Sequence, residues 1–466
     1  MRRSSRFSLA DPAFAREVYG RVRRRLPVPA RLLLDRLGDR LLGRPSFLLL
    51  LPLLAAMVRR RFDRHRLSVG WLLDGNEDDA SARVRGFLPH AYLRQQGVHS
   101  VILSKPPRKV LFTVRPEEAD LLVRARFDVV VFQRVHGPQA EALAQQLRAT
   151  GTRTVYAIGD PIPSRMPEAV DCVVIASEGL RTVAGPDPEK VRVIESVVET
   201  PSGLVKDYTR PPRRSEIRVV WIGYPENLHL LEPVREALRD PRLCNYRLVI
   251  ISRGPQATHQ WDRRRVWRWL LDCDIAVLPS RPTEWYQAKP NTRMIMLKAL
   301  GLPMVASPVP SYVATLTHGR GCFFARTVEE WADYLALLSD FDLRREMGLA
   351  ERERILAVYG LEAVGRRWLS LFAELSGGTP PFPAVPYGGG PMRMAGALGL
   401  DFRETRLVTL VRRIATSLLP YPLARGPVRR WLGASPSGSG SAALREFLLR
   451  VRDPLGKQGG QTALGR

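Results

Sequence analysis

Ala288-Lys-Pro-Asn-Thr-Arg-Met-Ile-Met-Leu-Lys-Ala-Leu-Gly-Leu-Pro-Met-Val-Ala-Ser307 is the stretch on which the fold turns. Asn291 stands in a capping position, residues 292–300 are mostly helix formers, Gly301 suits a helix end and Pro303 stops it. Residues 304–306 are apolar, as a buried strand requires. The spacing predicts a short helix feeding a parallel strand. Lys289 and Arg293 then lie beside the helix N-terminus, where unpaired N–H groups and the helix dipole already favour an anion. In outline this is a phosphate site.

Working outward, strands are expected at 218–222, 246–251, 275–278 and 322–324, with helices at 230–238, 260–271, 328–338, 343–357 and 361–375. Upstream the alternation repeats, with strands at 67–73, 100–103, 128–132, 153–158, 171–176 and 191–194 and helices at 84–95, 116–125, 138–150 and 178–183. Val- and Ile-rich strands separated by helices imply parallel, doubly wound sheets. Pro201, Gly203, Pro211 and Pro212 mark a linker at 200–215. The fold class is therefore α/β: two Rossmann-like, doubly wound domains at 67–205 and 206–375, both turning the carboxyl ends of their strands to a shared cleft.

The 466 residues carry a net charge of +26, unevenly placed. Residues 1–66 hold 17 Arg against 5 acidic residues, and 376–466 hold 13 Lys/Arg against 4, so only +5 remains for the middle. Basic flanks call for an anionic partner, and their apolar content selects a membrane surface over nucleic acid. The run from Phe47 to Val58 has no charge and is bracketed by Arg44 and Arg59–Arg61. Its twelve residues fall short of the ~20 that span a bilayer as a helix. In the tail, Leu407, Leu410, Val411, Ile414 and Leu418 share one helical face, away from Arg406, Arg412 and Arg413. The expectation is a basic N-terminal extension, and a tail beyond a Gly/Pro linker, both lying on an anionic membrane. Packing of both segments on the central domains is the alternative. No aromatic and basic residues interleave as in a nucleic-acid motif. Cys172, Cys244, Cys273 and Cys322 lack metal or disulfide spacing, so no metal is expected.

Further segments support the phosphate site. They are Ser81-Ala-Arg-Val-Arg-Gly86, Asp128-Val-Val-Val-Phe-Gln-Arg-Val135, Thr154-Val-Tyr-Ala-Ile-Gly-Asp160, Val173-Val-Ile-Ala-Ser-Glu-Gly-Leu180, Ser307-Pro-Val-Pro-Ser-Tyr312 and Glu330-Trp-Ala-Asp-Tyr-Leu335. In order and spacing they resemble glycosyltransferases of the GT-B architecture, the family-four and family-one-like group, over roughly residues 67–375. One departure stands out: many members have two glutamates seven residues apart across the 292–300 helix, the second holding the donor's ribose, and here Ala288 and Met296 take those positions. The chain is similar to a variant set with Lys at 289 and Asn-x-Arg at 291–293.

The resemblance implies metal-independent transfer from a nucleotide sugar, as co-substrate with no further cofactor, to a polysaccharide or lipid-linked glycan. It places the protein in the cytoplasm, peripheral at the inner membrane face. It implies a donor site of Gly223, Arg253, Glu284, Lys289, Asn291, Thr292 and Arg293, with Glu284 the nearest carboxylate for the ribose. Lys289 and Arg293 would stabilise the leaving diphosphate, and Asp160 would accept a hydrogen bond from a sugar hydroxyl or act as general base. Arg83, Arg85, Gln133, Arg134 and His136 would line the acceptor side. A non-catalytic, membrane-recruited sugar or nucleotide-binding scaffold is the second expectation, suggested by the missing glutamates.

Overall fold

A computed structural model describes residues 67–105, 112–201 and 203–377. Residues 1–66 and 378–466, with the apolar run and the amphipathic tail expected on them, lie outside the described residues.

The first sheet runs β2-β1-β3-β4-β5-β6, all parallel: β1 Ser68–Leu73, β2 His99–Ser104, β3 Val129–Gln133, β4 Arg153–Ile158, β5 Cys172–Ile175 and β6 Val191–Val193. The second runs β12-β11-β10-β7-β8-β9, also parallel: β7 Ile217–Ile222, β8 Tyr246–Ser252, β9 His259–Gln260, β10 Ile275–Leu278, β11 Met304–Ala306 and β12 Phe323–Phe324. Every residue of β1, β3, β5 and β10 is buried, because helices cover both faces. That is why these strands read as unbroken apolar runs without alternation. Chain order reverses between β1 and β3 and again between β7 and β10. At such points the loops after neighbouring strands diverge and open a crevice.

The helix Leu361–Leu375 departs from the expected domain division. Read from sequence it closes the second domain, but it packs on the first sheet. Trp368 and Phe372 meet Trp71 of β1 edge-on, with ring centroids 5.4 and 5.9 Å apart. Gly365 lies so close to the helix Leu88–Gln95 that a Cβ there would sit 2.3 Å from Tyr92. Burial of these aromatic rings, each contributing on the order of 2–3 kcal/mol, ties the end of the second half to the first.

Other differences are local. The helix expected at 343–357 is two, Phe341–Leu349 and Arg352–Tyr359. Glu351 between them has φ 59°, and its carboxylate accepts from the Thr317 amide at 3.0 Å. The helix expected at 260–271 is shortened to Val266–Leu271, because His259–Gln260 joins β8 as an edge strand. The expected helix at 84–95 begins as a π-helical turn, Arg83–Phe87. Pro89 lacks the amide that would close a regular turn there.

Candidate active site

A cavity lies where the two sets of strand ends meet. From the first sheet its wall takes the segment 78–85 after β1, which turns into the helical start at Ala80, with Arg134 after β3 and Gly159 and Asp160 after β4. From the second come Gly223 and Tyr224 after β7, Arg253 after β8, Ser280 after β10, and Lys289, Thr292, Arg293 and Met296 around the helix Thr292–Ala299. Gly223 is required locally, since a Cβ there would sit 2.5 Å from the Trp221 ring.

On the second wall, Asn291 occupies the N-cap position but makes no capping bond. Its Nδ2 instead donates to Thr315 Oγ1 at 2.7 Å, which corrects the capping expected from sequence and leaves the first-turn N–H groups uncapped by it. Thr292 Oγ1 donates to Ser196 Oγ at 3.0 Å, and Arg293 Nη1 to the Ile222 carbonyl at 3.2 Å. The Lys289 ammonium pairs with Asp160 and lies 4.5 Å from the centroid of Trp285. Burial pulls the Lys289 pKa below its ordinary value, against the opposing pull of Asp160.

On the first wall, Asp160 also accepts from Arg134 Nη1 at 2.8 Å, and Arg134 Nε lies 3.2 Å from Asp74 Oδ2. Arg134 has φ 56°, a left-handed conformation that non-glycine side chains adopt only under constraint. Arg85 is 2% exposed, and its Nη1 donates to the Ile194 carbonyl at 2.9 Å. Its Nε and Nη2 are buried without a hydrogen-bond partner among the described residues, and burial pulls its pKa down to about 10. Arg83 Nε meets Glu199 at 2.6 Å. The guanidinium carbons of Arg83 and Arg253 each stand 5.4 Å from the centroid of Trp261, so one ring links a cation from each domain.

Nine of the residues expected from sequence thus line one cavity: Arg83, Arg85, Arg134, Asp160, Gly223, Arg253, Lys289, Thr292 and Arg293. Four do not. Asn291 is buried behind the helix start, and Gln133 is buried with its Nε2 donating to Ser81 Oγ at 3.0 Å. His136 is half-buried off the wall, and Glu284 is exposed at the start of the four-residue helix Glu284–Gln287. The wall carboxylates, Asp78, Asp79, Asp160 and Glu199, all belong to the first domain.

Sequence reading missed Ser196, Tyr224, Trp261 and Tyr286 on the wall. Tyr224 Oη donates to Asp79 Oδ2 at 3.4 Å across the cleft. At the two positions that the resemblance set against a pair of glutamates, Ala288 is sealed against the first domain while Met296 faces the cavity. Ser177 Oγ donates to the Ala288 carbonyl at 3.0 Å, and a Cβ on Gly179 would sit 2.9 Å from Ala288 Cα. Among the described residues no group of three or more His, Cys, Asp or Glu is arranged to hold a metal, and no helix is long and apolar enough to cross a membrane.

Residues 227–370 match the family model described as glycosyl transferase-like. HepE of Anabaena, solved with UDP-glucose, is similar with a TM-score of 0.51 at 13% identity, covering 66% of this chain and 100% of that one. Sucrose-phosphate synthase of Thermosynechococcus elongatus gives 0.50 at 13% identity, over 67% of this chain and 99% of that one. The sequence matches no curated protein. At such identities the structural likeness speaks for the fold, and the family model speaks for the activity of the domain that carries the helix Thr292–Ala299. The second domain thus carries the match to the glycosyl transferase-like family model, and the chain is a glycosyltransferase of the GT-B fold.

Proposed function

We propose that this glycosyltransferase moves a sugar from a nucleoside diphosphate sugar to a hydroxyl of a glycan or lipid-linked acceptor without a metal ion, the nucleotide serving as co-substrate. One observation carries the reading: Arg253 and Arg293 line the second wall with no carboxylate within 4 Å among the described residues, beside an uncapped helix N-terminus. Such a wall is complementary to an anion brought from outside. The solved complex of HepE with UDP-glucose supports the same donor class.

As the bond between the donor's anomeric carbon and its phosphate oxygen breaks, negative charge grows on the leaving diphosphate. Lys289, Arg293 and the N–H groups of the helix Thr292–Ala299 stabilise that charge more in the transition state than in the ground state. The acceptor oxygen forms the new bond from the first-domain side, where Asp160 accepts its hydrogen bond or its proton. The basic flanks hold the enzyme to an anionic cytoplasmic membrane surface, where lipid-linked acceptors reside.

The test is a panel of nucleotide sugars assayed for release of the nucleoside diphosphate. One donor should turn over, and Arg293→Ala and Lys289→Ala should each lower the rate about 10²- to 10³-fold. No turnover and no nucleotide binding with any donor would overturn the proposal. Binding without turnover would favour the scaffold reading instead, which the absence of a carboxylate from the second wall among the described residues supports.

A further inference from the structure

Lys289 stands three residues before the helix start that the donor's diphosphate would approach, yet its charge is already engaged. The partner is Asp160, a first-domain carboxylate that crosses the cleft to reach it. Among the described residues no first-domain carboxylate pairs with the other two cations of the second wall: Arg293 bonds to a carbonyl, and Arg253 lies against Trp261. The crossing is also shielded, since the side chains of Lys289 and Asp160 are 28% and 18% exposed. A shielded pair interacts more strongly than a surface one.

A carboxylate and a diphosphate cannot both hold one ammonium at low cost, because two anions within ~4–6 Å of each other repel. We propose that Asp160 is the resident counterion of the diphosphate cradle. It neutralises Lys289 while the donor is absent, is displaced from it by the donor's phosphates, and stays on Arg134, where it faces the acceptor. This rests on the nucleotide-sugar reading and adds to it a competition that no family likeness implies.

The surrounding structure suits an exchange at one end only. Arg134 is doubly held, with Nε 3.2 Å from Asp74 and a left-handed backbone at φ 56°, so its grip on Asp160 at 2.8 Å comes from a fixed group. The Lys289 backbone is fixed too, by Ser311 Oγ donating to its carbonyl at 2.7 Å and by Pro290 after it. What remains movable is the flexible lysine side chain. Rotation of its ammonium from carboxylate to phosphate frees one lone-pair edge of Asp160 without moving either domain. Donor affinity is thereby weaker than the cations alone would give, and Asp160 becomes able to accept from an acceptor hydroxyl only once the phosphates are in place.

The experiment measures binding of UDP, GDP, ADP and inorganic pyrophosphate by calorimetry to the full chain and to Asp160→Asn, Asp160→Ala, Lys289→Ala and Asp160→Asn/Lys289→Ala, with folding checked by circular dichroism. For any ligand that binds, Asp160→Asn and Asp160→Ala should bind it about tenfold more tightly, as expected when a competing charge is removed. Lys289→Ala should bind it at least tenfold more weakly, and the double variant no more tightly than Lys289→Ala alone. In transfer assays Asp160→Asn should lower KM for the donor and lower kcat together. Unchanged or weaker binding by both Asp160 variants overturns the counterion role while leaving the donor reading intact. Tighter binding that persists in the double variant overturns the route through Lys289. If no diphosphate binds to the wild type or to Asp160→Asn, the donor reading itself falls, and this inference with it.

Discussion

The two walls of the cleft are both rich in arginine but differ in how the charge is answered. On the first wall Arg83 has Glu199, and Arg134 has Asp74 and Asp160. On the second, Arg253 and Arg293 have no carboxylate among the described residues, and Lys289 has only one borrowed from the opposite side. The first wall is electrostatically finished by the protein, whereas the second requires an external anion. This contrast supports the proposed placing of the donor's phosphates on the second wall and of a hydroxyl-bearing acceptor on the first.

The sharpest way to break the comparison is to delete one arginine from each wall. Arg83 and Glu199 have side chains only 6% and 7% exposed, so Arg83→Ala strands a buried carboxylate. Loss of one partner of such a pair costs about 3–5 kcal/mol. Arg253 is exposed, and Arg253→Ala should change stability by no more than about 0.5 kcal/mol. Urea unfolding of both variants checks this, with the paired change Arg83→Met/Glu199→Leu expected to recover most of the loss. Equal costs for Arg83 and Arg253 would mean that the walls do not differ as described.

Arg85 is the exception on the first wall, a buried guanidinium that among the described residues has no carboxylate in contact and two nitrogens without a partner. Burial lowers its pKa to about 10, so the fold carries this charge at a loss. Replacement by Met removes that loss at the expense of one bond to the Ile194 carbonyl. Arg85→Met should therefore gain about 1–2 kcal/mol of stability, since buried charges often give way to apolar side chains of similar volume with a net gain. Transfer should fall about tenfold or more if the charge serves the cleft. A lower melting temperature would show that Arg85 holds the fold rather than the substrate.

What could be read in advance follows from what the sequence encodes locally. β10, β11 and the helix Thr292–Ala299 were legible because unbroken apolar runs and the Gly301–Pro303 stop are local signals. Lys289 and Arg293 were legible because helix starts and cations have a direct electrostatic relation. Ser196 and Trp261 were not, since nothing near them in sequence records that Ser196 meets Thr292 or that Trp261 meets Arg83. The Leu361–Leu375 helix was legible as a helix, but its partner Trp71 lies almost 300 residues away. Glu284 was placed by proximity to Lys289, and the four-residue helix Glu284–Gln287, too short to show periodicity, turns it outward to solvent.

The smallest expected effect tests whether a buried cation needs the cleft to justify it. Lys298 lies on the same helix as Arg293 but does not line the cavity, is 0% exposed, and donates to the Met347 carbonyl at 2.6 Å. Burial lowers its pKa from 10.5 to about 8. Below pH 8 both folded and unfolded chains hold the proton, and the folded state bears the full burden of the buried charge. Between about 8 and 10.5 the unfolded chain binds more protons than the folded one, so this group makes stability rise with pH. Lys298→Met removes the burden and loses one hydrogen bond, for a net gain of about 1 kcal/mol at pH 7. Melting temperatures at pH 7, 8, 9 and 10 should show the variant's advantage shrinking as pH rises, while its transfer rate stays at the wild-type level. An advantage constant across that range would remove the ammonium as its cause. A fall in transfer equal to that of Arg85→Met would erase the distinction between a cation buried for the cleft and one buried away from it.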